Sequence, residues 1–176
     1  MTPATGSSPG PGGRPPRGSL SDPPRGSLSD PPPHTLTAHI VASDAAYASA
    51  WYQRAFGARE QARVTLPGGK VLTVVLRIGD SALHVASEFP QAGILSPASI
   101  GGTATVLQIQ TGDAGALWQR ALEAGAEVCH ELADQFWGER HGQLTDPFGH
   151  RWNIAQHLRD LTPEEIEAAA AQAFGG

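Results

Sequence analysis

A disulfide within the fold is excluded at once, because the 176-residue chain has a single cysteine, Cys129. That usage fits a reducing cytoplasm. No apolar run is long enough to span a bilayer and the N-terminus has no apolar h-region, so neither a membrane segment nor a signal peptide is expected. Positive charge is also scarce. The formal net charge is −5 and no basic stripe with interleaved aromatics occurs, so nucleic acid is not an expected partner. Cys129 follows Val128 in a strand-like run and reads as a core residue rather than a reactive thiol.

What is present divides the chain in two. Pro, Gly and Ser supply 22 of the first 33 residues, and the octapeptide Pro-Pro-Arg-Gly-Ser-Leu-Ser-Asp occurs in tandem at 15–22 and 23–30. So little apolar surface does not offset the entropy of ordering, and residues 1–33 read as a disordered, solubilising tail. The remaining 143 residues suit one domain with a sizeable core.

That domain contains the same unit twice, about seventy residues apart. The first copy opens at Asp44, runs through Trp51-Tyr52-Gln53-Arg54-Ala55-Phe56 and closes at Gly57-Ala58. The second opens at Asp113, runs through Trp118-Gln119-Arg120-Ala121-Leu122 and closes at Gly125-Ala126. Asp44 caps a predicted helix over 45–56, with Trp51 and Tyr52 in the core and Gly57 as its C-cap. Strands are expected at 36–41, 63–66, 71–78 and 81–87, then at 103–110, 127–131, 141–145 and 151–156, with a helix over 113–124. Each module is therefore strand, helix and three strands: module 1 at about 35–88 and module 2 at about 103–158, within a domain over 34–160. Thr162, Pro163 and Glu165 form a capping box that starts a C-terminal helix within 161–176.

An offset of 69 aligns Asp44 with Asp113 and pairs His39 with Gln108. The last strands align at the same offset and pair His84 with Asn153. Side chains alternate across a strand, so this quartet shares the face opposite Leu83, Val85, Trp152 and Ile154. It lines a cavity on the concave side of a curved sheet, with Trp137 on the loop between two strands as a stacking surface. Two histidines with an Asn and a Gln make a hydrogen-bonding site; as metal ligands the amides are poor. Glu88, Glu131, Asp134 and Glu139 lie in or beside loops within reach, and His150 reads as a turn residue.

Trp51 to Ala58, Arg77-Ile78-Gly79-Asp80-Ser81, Asp134 to Arg140 and Asp146-Pro147-Phe148-Gly149-His150-Arg151-Trp152 resemble the glyoxalase/bleomycin-resistance/extradiol-dioxygenase superfamily, the vicinal oxygen chelate fold. Leu161-Thr162-Pro163-Glu164-Glu165 matches its glyoxalase-like subgroup. The resemblance implies an α+β fold in which two βαβββ modules form a curved mixed sheet, a half-barrel with helices on the convex side, commonly as a homodimer. It also implies a divalent metal held at four positions, which map to Thr37, His84, Val106 and Asn153. Only His84 is a competent ligand there, with His39 two residues beyond Thr37 on the same face. The leading expectation is therefore a metal-independent protein that binds a small organic molecule through His39, His84, Gln108, Trp137 and Asn153, as antibiotic-sequestering members do. The alternative is a glyoxalase-like lyase, isomerase or dioxygenase using His39 and His84 as metal ligands or as general bases.

Overall fold

Asp44 and Asp113 begin the two helices that organise the domain. In the computed structural model, which describes residues 36–175, the Asp44 carboxylate accepts from the amides of Ala46 (2.8 Å) and Tyr47 (3.0 Å). Asp113 accepts from Ala116 (2.9 Å). The predicted tail and its octapeptide repeat lie outside the described residues.

Module 1 consists of β1 (Ala38–Ala42), α1 (Ala45–Phe56), β2 (Arg59–Thr65), β3 (Val71–Ile78) and β4 (Ser81–Ser87). A connection follows, with a 3-10 turn at Pro90–Ala92 and the one-turn α2 (Pro97–Ile100). Module 2 repeats the order as β5 (Val106–Gln110), α3 (Ala114–Glu123), β6 (Glu127–Asp134), β7 (Glu139–Thr145) and β8 (Arg151–His157). The helix α4 (Pro163–Phe174) closes the chain, and both reciprocal bonds of its capping box form between Thr162 and Glu165.

The strands make two four-stranded mixed sheets, β1-β4-β3-β2 and β5-β8-β7-β6. Each has one parallel pair, β1 with β4 and β5 with β8. The fold is α+β and the two sheets are open rather than closed into a barrel. No ladder joins β1 to β5, so each keeps a free edge at the seam between the modules.

Helices cover one face of each sheet, and the core fills the space beneath them. Trp51, Tyr52 and Phe56 of α1 are buried against Val74, Leu76, Leu83 and Val85. The same residues reach module 2, where the Phe56 and Trp152 rings lie 4.8 Å apart and Trp51 Nε1 donates to the Ala124 carbonyl at 2.8 Å. Gly142 in β7 permits a close approach in module 2: a Cβ there would stand 2.6 Å from the Trp118 ring and 2.8 Å from the Leu132 Cα.

Asp146 ties the modules together. Its Oδ2 accepts from the Tyr52 hydroxyl (2.6 Å) and from Trp152 Nε1 (2.9 Å). Its Oδ1 accepts from the amides of Phe148 and His150, both at 2.9 Å. Burial, and then the facing Asp146 carboxylate, push the Tyr52 hydroxyl well above the usual phenol range. His150 is buried rather than a simple turn residue, and its Nε2 meets the Val41 carbonyl at 2.9 Å, which holds the end of β1 to the turn before β8.

The expectation that Cys129 is a core residue is overturned, since it is exposed. β6 is the outer strand of its sheet and nearly all of its residues are exposed, so apolar character there does not produce burial. The thiol lies 2.9 Å from the Thr145 hydroxyl.

Two stability predictions follow from this packing. Tyr52→Phe removes a donor from a buried carboxylate and is expected to cost about 1.5–3 kcal/mol in urea denaturation at pH 7. Because the folded-state pKa of Tyr52 is raised, its contribution is fully present below the unfolded value of about 10 and falls as pH rises above it. The variant should therefore lose less stability than the parent between pH 10 and 11, and equal losses would remove Tyr52 as the cause. Gly142→Ala is expected to lower stability by about 1–3 kcal/mol through overpacking against Trp118, measured the same way.

Candidate functional site

The offset of 69 between the two copies reappears as strand register. His39 pairs with His84 across the parallel ladder of module 1, and Gln108 pairs with Asn153 across the equivalent ladder of module 2. The rows continue onto the third strands, where His84 is opposite Val75 and Asn153 is opposite Gln143. Alternation explains the sorting: Leu83, Val85, Trp152 and Ile154 are buried under the helices, so His84 and Asn153 project from the helix-free faces. His39 and Gln108 are exposed there, and His84 and Asn153 are half-buried.

In module 1 the imidazoles of His39 and His84 lie with centroids 5.7 Å apart and planes tilted by 55°. In module 2 the polar groups bond to one another. Gln143 Nε2 donates to Asn153 Oδ1 at 3.0 Å, and Gln108 Nε2 donates to Gln110 Oε1 at 3.2 Å. Gln110 Nε2 then donates to Glu139 Oε1 at 3.2 Å, and Trp137 Nε1 donates to Glu139 Oε2 at 3.1 Å. Trp137 is half-buried and meets His141 edge-on at 5.7 Å. Gln108 and Trp137 are thus joined through the Glu139 carboxylate, and Asn153 stands beside them. No hydrogen bond among the described residues links this group to the His39–His84 pair.

Of the other loop carboxylates, Glu88 accepts from the Ser96 amide and anchors the connection before α2. Asp134 pairs with Arg140 at 2.7 Å, a bond that holds its carboxyl below the usual range. Glu131 is exposed on β6. The sequence reading missed Gln110 and Gln143. The first is two residues beyond Gln108 on the same strand face; the second becomes visible only once β7 is paired in register with β8.

The four positions that the family resemblance assigns to a metal do not make a metal site here. Thr37 is exposed ahead of β1, Val106 has no donor atom, and the Asn153 oxygen is taken by Gln143. Among the described residues no three His, Cys, Asp or Glu side chains converge. This donor set does not fit a divalent transition ion.

Two βαβββ units whose helix-free faces carry polar residues in matching rows define a duplicated α+β protein with its candidate site on those faces. The chain belongs to the Glyoxalase/Bleomycin resistance protein/Dioxygenase superfamily, whose sequence pattern matches residues 32–154. It is 40% identical over 144 residues to the uncharacterized protein Mb0911c of Mycobacterium bovis, covering 80% of this chain and 95% of that one. A gene product of Arabidopsis thaliana, At5g48480, has a similar structure, with 27% identity, a TM-score of 0.55 and coverage of 69% and 98%. TioX from Micromonospora sp. ML1 matches at 22% identity and a TM-score of 0.56, covering 72% and 100%. The fosfomycin resistance protein FosX from Listeria monocytogenes, solved with Mn(II) and sulfate, matches at 16% identity and a TM-score of 0.55, covering 78% and 97%. These last two likenesses concern the fold.

Residues kept for binding should contribute little to folding. His84→Ala and Gln108→Ala are each expected to change the urea unfolding free energy by less than about 0.5 kcal/mol. A loss of about 2 kcal/mol or more would mark them as structural polar residues instead.

Proposed function

We propose that this chain binds a small organic molecule against its helix-free faces, as a binding or sequestering protein of the resistance type. His39, His84, Gln108 and Asn153 supply hydrogen bonds, and Trp137 supplies a stacking surface. The carrying observation is the pair of matching rows, His39–His84 and Gln108–Asn153, at equivalent heights in the two modules. Buried polar residues in a core are normally partnered for stability. These instead stand on faces that the helices leave free, and neither His84 nor Asn153 lines any of the three principal cavities of the single chain. Enclosing a ligand on such a face needs a second layer, so we further propose a homodimer in which the helix-free faces of two copies close over the ligand. A cytoplasmic protein whose Pro/Gly/Ser-rich segment before residue 34 acts as a solubilising tail is the matching cellular reading.

A second reading rests on the His39–His84 pair. A ring nitrogen of either imidazole is a candidate general base toward a bound substrate, and the ring centroids lie 5.7 Å apart. That reading makes the protein a lyase or isomerase.

Sedimentation of the full chain, combined with ligand-observed NMR using bleomycin and fosfomycin, tests the first reading. The expected result is a dimer whose ligand signals attenuate, with binding weakened about tenfold or more in the double variant His84→Ala/Asn153→Ala. A monomer that binds equally well with and without the two substitutions would defeat it. Metal analysis of protein purified without chelator separates the second: near-stoichiometric Ni, Zn, Fe or Mn that is lost in His84→Ala would replace binding by metal-dependent catalysis.

A further inference from the structure

One cavity extends beyond the helix-free faces. It has a volume of about 450 Å³ and lies at the seam between the modules, bounded by the start of β1, the Gly79-Asp80-Ser81 turn, β5 and the end of α3. Phe56, Leu83, Leu107, Leu117 and Trp152 form its apolar floor. Leu83 and Trp152 alternate along their strands with His84 and Asn153, so the apolar floor belongs to the helix side of the sheets, while Gln108 of the module 2 row reaches the rim at the β5 edge. Its volume is in the range of small-molecule sites.

Three features at its rim favour one kind of occupant. First, Arg120 of the last turn of α3 lines the cavity, and among the described residues its guanidinium has no ion-pair or hydrogen-bond partner. One of its nitrogens stands 3.7 Å from the point where a Gly57 Cβ would be, so the absent side chain leaves the cation room beside the seam. Second, the β5 edge is open. The Thr111 amide donates to the Ala155 carbonyl at 2.9 Å, and alternation in a parallel ladder then turns the main-chain groups of Gln108 and Gln110 away from β8, toward the seam. On β1 the same alternation turns the Val41 carbonyl outward, where His150 takes it. The β5 groups have no equivalent partner among the described residues. Third, the Asp80 carboxylate lies on the rim contributed by module 1, which disfavours a second negative charge in the occupant.

We propose that the seam cavity is a second binding site, for a compact apolar monocarboxylate. The carboxylate pairs with Arg120, the body packs on Phe56 and Trp152, and free main-chain N–H groups of β5 donate to any further acceptor of the ligand. A planar guanidinium presents a fork that matches a carboxylate in two parallel bonds, which an amide in its place does not reproduce.

The test uses 4-tert-butylbenzoate, titrated into the full chain and followed by amide NMR shifts. The expected result is saturable shifts at Gly79, Ser81 and residues 107–111, with affinity about tenfold lower in Arg120→Gln and for the uncharged 4-tert-butylbenzamide. Arg120 is exposed, so this variant retains the fold, and Leu107→Trp, which fills the cavity, should abolish the shifts. Absence of saturable binding, unchanged affinity in Arg120→Gln, or shifts confined to His39, His84, Gln143 and Asn153 would overturn the proposal. Because His84→Ala/Asn153→Ala leaves this cavity intact, failure here and failure of the helix-free-face reading are separately visible.

Discussion

The buried carboxylate of Asp146 is the constraint on which the relation between the modules depends. A charge removed from water is costly unless every lone pair finds a donor, and this one finds four. Two of them, the amides of Phe148 and His150, close the turn before β8. Trp152 Nε1 fixes the first residues of that strand, and the Tyr52 hydroxyl comes from the helix of the other module. One side chain thus sets a turn, the facing of a strand and the docking of α1. His150, positioned by that turn, carries the tie to the β1 edge through Val41.

That tie decides which face of each sheet is used for packing and which is left free. With Trp152 held inward, strand alternation turns Asn153 outward; with Leu83 inward, His84 turns outward. A slip of one residue would exchange the two sets, so the apolar set under the helices effectively specifies the register of the polar rows. The seam has a different origin. β1 and β5 end their sheets side by side without a ladder between them, and the space that remains is bounded by core residues below and by unpaired main chain at its edge.

Much of this architecture is legible in the sequence because its signals are local. Asp44, Gly57 and the Thr162–Glu165 capping box each carry their own geometry, and the observed helix over Ala45–Phe56 agrees with the expectation to the residue. The offset of 69 reads correctly as register because duplication preserves strand pairing, which makes His39–His84 and Gln108–Asn153 true equivalents. What escapes the sequence depends on distant partners. Cys129 lies in a strand-like run, yet β6 is the outer strand of its sheet and leaves the thiol exposed. His150 follows a turn glycine, and only the fold brings Val41 to its ring. The seam cavity has no sequence signal, because its lining comes from residues more than a hundred positions apart.

The amides on module 2 also bear on the chemistry available there. Asn153 and Gln143 bond to each other, and Gln108, Gln110, Glu139 and Trp137 form a chain. Where a metal would need free donors, this face offers groups already partnered among themselves. In the proposed site a ligand would gain only the difference between its own hydrogen bonds and those it displaces, which would favour a shape that bridges the chain without breaking it. Module 1 presents no such chain among the described residues: its two exposed or half-buried imidazoles share a face with Thr73, Val75 and Arg77 of β3. The two modules share a backbone register but not a chemistry: one carries an amide network, the other an imidazole pair. In the proposed site, a ligand held between faces of these two kinds would be fixed in orientation by the first and would meet imidazole nitrogens on the second.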